Sequence, residues 1–506
     1  MRPATLVRLA FAGSRADTLR VALTALSALL ATLAVLAAAT MLAIPEVTSP
    51  DNPRGYATQY NKALLREPGL RPGVVFALAL LTLPVLALAG QCGRLGAPAR
   101  DRRLAAVRMA GATPRQAVAL AAAETGLASV VGVGVGFGVY FVGRRALHRP
   151  APDGRLPLPT DVLPAWPALL AVAVGLPLVA TLVAAVVLRR VRLTPFGVVR
   201  AQRRRGPGPW PAFLIVPGVA CFALFGPVAR YSDRHGGAVP ERVLAALLFG
   251  GALLALVGLL LGTGWISHMT GRVLYRVARR PAALLAGRRL AADPWAGSRV
   301  FAAVLACVLF GGGAAGVRAY FVADAAVQEE GGRWTALQGG FEYIPDSGDS
   351  FYTRTMTLVD AAVLVGMAIA VLGLLVALAE GIVARRRTYA TLVATGVPRG
   401  VLARSLLWQT LAPVVPAVAA ALAVGLTMTR SLMSEVRIEA GYALAVPTDG
   451  QPPPEPHFRV FTHDVPIPFA ELALFGGGAI LAVLAMTGLA LLFLRPSMDP
   501  EELRTT

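Results

Sequence analysis

Apolar residues fill this chain in long blocks, and basic residues punctuate the gaps between them. A helix needs roughly 20 apolar residues to cross a bilayer. On that measure the pattern predicts ten spans, at about 19–44, 73–90, 117–142, 163–188, 211–229, 243–265, 299–318, 357–383, 404–428 and 469–494. Pro84, Pro177, Pro413 and Pro416 fall inside spans, where neighbouring helices satisfy the backbone groups a proline frees. The fold class expected is an all-α polytopic membrane protein of about ten transmembrane helices. The two longest outer segments, 319–356 and 429–468, read as acidic loops too short for a substantial folded domain, the second carrying an extended "TDGQPPPEP". Residues 45–72 read as another loop or a short helix.

Composition agrees. Of 506 residues 56% are hydrophobic and 15% charged, and the mean hydropathy is +0.63. The formal charge of +20 does not indicate nucleic acid, because its arginines cluster in alternate loops. With the N-terminus inside, 31 of the 48 basic residues fall in the inner segments and 17 in the outer ones, while acidic residues run the other way. The positive-inside rule then puts both termini in the cytoplasm. The first apolar run is long and lacks an early small-residue cleavage site, which favours a retained signal anchor. Cys92, Cys221 and Cys307 lie in or beside spans, with no spacing that suggests a disulfide framework or a zinc site. The histidines, at 148, 235, 268, 457 and 463, match no metal or hydrolase signature.

Two stretches echo each other. "ARDRRLAAVRMAGATPRQ" (99–116) and "VARRRTYATLVATGVPRG" (383–400) both lie between the second and third spans of a four-span group. Gly111 and Gly396, Glu124 and Gln409, and Thr125 and Thr410 all stand 285 positions apart, although the Pro-Arg pair slips by one. Both copies fall on the same face, so the repeat is parallel, unlike the inverted repeats of many secondary transporters. The organisation expected is a first four-span unit at 1–190, a two-span connector at 191–265 and a second four-span unit at 266–506. Each basic piece reads as a short interfacial helix, a turn at a left-handed glycine and a proline-marked restart. Such a helix could lie on anionic headgroups or dock on a partner.

"RRLAAVRMAGATPRQAVALAAAETGL" and "RRRTYATLVATGVPRGVLARSLLWQTL" resemble the signature of the FtsX-like permeases of ABC transporters, the family of macrolide-exporter, lipoprotein-release and bacitracin-resistance permeases. The 4+2+4 plan is most similar to the bacitracin-resistance branch, but Gln409 stands where the family usually has Glu, and the large exterior domain is missing. The resemblance implies a permease subunit in a bacterial plasma membrane that couples a separate ATPase to movement of a hydrophobic or amphiphilic substrate. Two ATPase copies would serve the two pieces. The coupling residues it implies are Arg102, Arg103, Leu104, Val107, Gly111, Pro114 and Arg115 in one copy. In the other they are Arg386, Arg387, Tyr389, Leu392, Gly396, Pro398 and Arg399. No cofactor is expected on this chain, since its only lysine, Lys62, is not in a Walker A motif and ATP would be bound by the partner. Catalytic motifs are not evident. Glu124 and Gln409 are the intramembrane polar candidates, Glu124 serving either a structural ion pair or coupling. Signalling or mechanotransmission without transport stays open, as does an ion-coupled transporter, which would need more intramembrane acids. "GVGVGFG" (132–138) reads as helix packing through Gly132/Gly136 and Gly134/Gly138 and not as a nucleotide loop.

Overall fold

The computed structural model describes residues 15–46, 55–67, 71, 73–75, 77, 78, 82, 85, 109, 111, 113–190, 207–339, 342, 351–442 and 457–493. The helices are α1 (Arg15–Leu42), α2 (Ala63–Arg66), α3 (Pro114–Ala146), α4 (Trp166–Arg190), α5 (Ile215–Arg234) and α6 (Glu241–Val277). After them come α7 (Pro281–Ala292), α8 (Pro294–Gly339), α9 (Phe351–Val383), α10 (Arg386–Ala394) and α11 (Arg399–Leu432). A hairpin of β1 (Glu435–Tyr442) and β2 (His457–Asp464) precedes α12 (Phe469–Ala490). Among the described residues nine helices are long and apolar enough to cross a membrane, and they match nine of the ten predicted spans. The remaining one, at 73–90, lies mostly outside the described residues. The chain is an all-α polytopic membrane protein.

The same packing occurs twice. In the first group α1 packs along α3, and α3 along α4; in the second α8 packs along α11, and α11 along α12. Small residues make the contact close. A Cβ at Gly132 of α3 would stand 2.1 Å from the Ala25 carbonyl oxygen, and one at Gly136 would stand 2.9 Å from Thr32 Cβ. Their counterparts 285 positions on are Ala417 and Ala421, both at 0% exposure against α8 in the main core. Without a hydrophobic drive between helices in lipid, such van der Waals contact is what holds them together. The Gly134/Gly138 pair does not share this role: among the described residues a Cβ on either would meet nothing within 4 Å. Those two lie about 100° per residue round the helix from the packed pair, on its exposed flank.

Connector helices α5 and α6 join the second group, α6 lying on α8 and α11. Helix α6 extends past the predicted 243–265 to Val277 and carries a π-helical stretch at Ala246–Gly250. It is then crossed by α7 at a glycine joint. There a Cβ on Gly271 would stand 2.7 Å from Leu290 Cβ, and one on Gly287 would stand 2.8 Å from the Tyr275 nitrogen.

The outer segments correct the expectation of two loops. Helix α8 continues for 46 residues to Gly339, and the segment after β2 leads directly into α12. Between Pro294 and Gly339 no proline interrupts it, and side-chain pairs four apart, Arg333 with Glu329 and Gln328 with Asp324, support its polar end. The hairpin packs on this extension. Val436 and Phe461 bury with Ala319, Ala323 and Val327, Trp334 meets Phe461 edge-on at 6.0 Å, and the Arg459 guanidinium lies 5.1 Å from the centre of the Phe461 ring. A second small knot forms around Tyr60. Tyr60, at 0% exposure, donates its hydroxyl to Asp161 at 2.7 Å, and Arg71 Nη1 donates to the Ile44 carbonyl at 3.0 Å.

Gly132→Leu should therefore destabilise the protein by roughly 1–3 kcal/mol or more, whereas Gly134→Leu should be near neutral. Thermal unfolding of the two variants in detergent checks the difference. Equal melting temperatures would contradict the packing described.

Candidate functional site

The second basic piece folds as a helix, a reversal and a restart. Three apolar residues of α10, Tyr389, Leu392 and Val393, turn towards Ile382, Leu402 and Ala490, while Arg386 at its start is half-buried. The helix ends in a Schellman motif: Val397 N–H donates to Leu392 O at 3.0 Å and Gly396 N–H to Val393 O at 2.9 Å. Gly396 has φ +91°, a conformation that costs a residue with a Cβ. Pro398 then caps α11. Thr395, Gly396, Pro398 and Arg399 are all exposed, so the reversal protrudes as a knob. Beside it a groove of about 660 Å³ runs between the knob and α7, walled by Leu284, Leu285, Arg288, Val397 and Val401.

The first copy shows the same geometry where it is described. Gly111 has φ +92°. Thr113 caps α3 in a capping box with Gln116, accepting from its N–H at 3.3 Å and donating its own N–H to Gln116 Oε1 at 3.0 Å. The two caps, Thr113 and Pro398, stand 285 positions apart, the same offset as the glycines. The slipped proline is therefore not an insertion. Proline sits at the first helical position in one copy and at the cap in the other. Higher up, Thr125 donates to Ala121 O at 3.3 Å and Thr410 to Leu406 O at 3.0 Å, another matched pair. Arg102, Arg103, Leu104 and Val107 lie outside the described residues, as do the side chains of Pro114, Arg115 and Arg387.

Glu124 and Gln409 occupy different surroundings. Glu124 is 5% exposed within α3 and is engaged by another residue. Gln409 faces a cavity of about 240 Å³ enclosed by α7, the end of α9, α10, α11 and the end of α12. Tyr389 reaches this cavity too, so the structure brings together two residues flagged separately in the sequence. It adds Arg289, Asp293, Glu380 and Arg385, which sequence reasoning did not link to the site. Arg289 and Asp293 lie in the apolar-basic segment "PAALLAGRRLAAD" between α6 and α8, and Arg385 lies in the second basic piece itself. Arg289 Nη1 donates to the Tyr389 hydroxyl at 3.1 Å, and its guanidinium lies 5.4 Å from the ring centre. Burial, and then the charge of Arg289, push the Arg385 guanidinium below the usual arginine range, while Tyr389 and Asp293 pull it back.

The described residues form a bundle of membrane-length helices in which two left-handed glycines, Gly111 and Gly396, stand just before long helices. Residues 361–497 match the FtsX-like permease C-terminal family. The matched segment holds α10, the Gly396 reversal and α11, and it supports the FtsX-like permease family. That family implies the membrane subunit of an ABC transporter, a generally non-enzymatic component that typically works with an ABC ATPase. No curated protein matches the chain.

Tyr389→Phe keeps the ring beneath Arg289 but loses the hydroxyl acceptor, and should loosen α10 by about 1 kcal/mol. Tyr389→Ala empties a buried site and should cost roughly 3–5 kcal/mol locally. Hydrogen exchange of the α10 amides measures both. Equal protection in the two variants would show that Tyr389 does not anchor the helix.

Proposed function

We propose that this chain is the permease of an ABC transporter whose two basic pieces, 99–116 and 384–400, each dock one copy of a separate ATPase. The observation that supports it most is the paired reversal. Left-handed Gly111 and Gly396 precede helix caps at an identical spacing, so the same backbone reversal stands before both long helices. The units are 1–190 and 266–506 joined by 191–265, with the basic face and both termini in the cytoplasm of a bacterial cell. The coupling surface comprises Arg102, Arg103, Leu104, Val107, Gly111, Pro114 and Arg115, with Arg386, Arg387, Tyr389, Leu392, Gly396, Pro398 and Arg399 in the second copy. ATP is bound and hydrolysed by the partner, and closure of the two ATPases presses on the knobs at the feet of α3 and α11. Because each knob is fixed to its helix by a tight reversal, a push there tilts the helix and does not merely bend a loop. The cargo is a hydrophobic or amphiphilic molecule drawn from the membrane.

A second reading is ATPase-driven mechanotransmission without a solute. The uninterrupted course of α8 into the hairpin-bearing outer segment favours it, since it links the two faces directly. ATP hydrolysis by the complex with no vesicle transport of any amphiphile would select this reading.

Purification of the chain from native membranes in mild detergent should bring down a stoichiometric ATPase. The quadruple variant Arg102→Glu, Arg103→Glu, Arg386→Glu, Arg387→Glu should lose it while remaining folded. A well-folded wild type that brings no ATPase would overturn the docking assignment and favour a headgroup-facing role for both pieces.

A further inference from the structure

The cavity beside α10 contains more than the coupling reading uses. Its upper wall reaches Gln409, Thr410 and Thr487 inside the spans, and its lower wall is α7 and α10 at the membrane surface. It therefore straddles the boundary between hydrocarbon and headgroups. Leu378, Leu406 and Leu491 make one side apolar. Two guanidiniums make the other. Among the described residues Arg289 is held by Tyr389 alone, and the Arg385 guanidinium, attracted by Tyr389 and Asp293, makes no hydrogen bond or ion pair. The carboxylates in the wall, Asp293 and Glu380, are each already engaged by another group. Arg385 is also the N-cap of the nine-residue α10, so an anion beside it would meet the positive end of that helix.

Two partly desolvated arginines that repel each other are relieved by an anion between them. Guanidinium matches a phosphate oxygen pair in a planar, bidentate way. Basic pockets between transmembrane helices at the membrane surface are characteristic headgroup sites. We propose that this cavity binds the phosphodiester of a membrane phospholipid from the leaflet on the basic-loop side, with Arg289 and Arg385 as its ligands. The Gln409 amide offers a further donor, and the leucine wall takes the first part of an acyl chain. A volume of about 240 Å³ admits the headgroup region of one lipid and not a second. The bound lipid would tie α7 to the start of α10, making the set of the knob depend on the bilayer. This site stands independently of the ATPase assignment, because lipid binding needs no partner chain.

The test uses the full chain, purified and delipidated, with dioleoyl phosphatidylglycerol titrated in native mass spectrometry. Wild type should retain one lipid tightly. Arg289→Gln with Arg385→Gln should weaken that binding roughly tenfold or more. Ala377→Trp, which fills the cavity and leaves every charge in place, should do the same. Excess inorganic phosphate should not displace the lipid. If the double arginine variant fails to fold, Ala377→Trp and Arg385→Lys carry the test, the lysine keeping the charge but losing the bidentate geometry. Wild-type affinity in the filled variant would overturn the proposal. So would displacement of the lipid by inorganic phosphate, which would mark a free-anion site instead.

Discussion

Everything in this molecule rests on how closely its helices approach one another at small side chains. Lipid tails are as apolar as leucine, so burial alone gives two membrane helices little reason to meet. Gly132 and Gly136 let α3 come to backbone distance from α1, and Ala417 and Ala421 do the same for α11 against α8. Gly425 extends the second contact, since a Cβ there would stand 2.4 Å from the Leu309 carbonyl oxygen. Close packing of this kind is steep: half an ångström of separation forfeits much of the dispersion energy. Each long helix and its partner consequently move as one body, and displacement at the foot of α3 or α11 is carried through the pair.

The reversals at Gly111 and Gly396 use a different physics for the same end. The cap of the long helix stands only two residues after the left-handed glycine, so little slack is left between the knob and the long helix behind it. The two copies reach that stiffness by separate routes. Thr113 does it with two reciprocal hydrogen bonds to Gln116, and Pro398 by fixing its own φ. Between the copies, the cap position is retained while its chemistry has changed.

Much of this was legible in the sequence. Nine spans follow directly from apolar blocks, and the turn chemistry of Gly396 and its proline announced the reversal that the hydrogen bonds show. What could not be read came from segments far apart in the chain. Residues 319–338 look like a loop because they are polar, and they are held as helix partly by Val436 and Phe461, more than a hundred residues later. The cavity joins Arg289, Glu380, Gln409 and Thr487 from four separate helices, and no local pattern links such positions. Gly134 and Gly138 were misread because spacing alone does not say which flank of a helix meets a neighbour. Composition gave the solvent, periodicity gave the elements, and only packing gave the site.

Helix α8 has a mechanical consequence of its own. Its 46 residues span about 69 Å at 1.5 Å per residue, more than twice the roughly 30 Å hydrocarbon thickness of a bilayer. A straight rod of that length tilting by about 5° around its centre carries each tip sideways by about 3 Å. That is comparable to the radius of a helix backbone. An angle too small to break any packing contact near the pivot is therefore enough to change which residues touch at either tip. The outer hairpin, seated on the far end of the rod, would feel amplified what the membrane-buried middle scarcely registers.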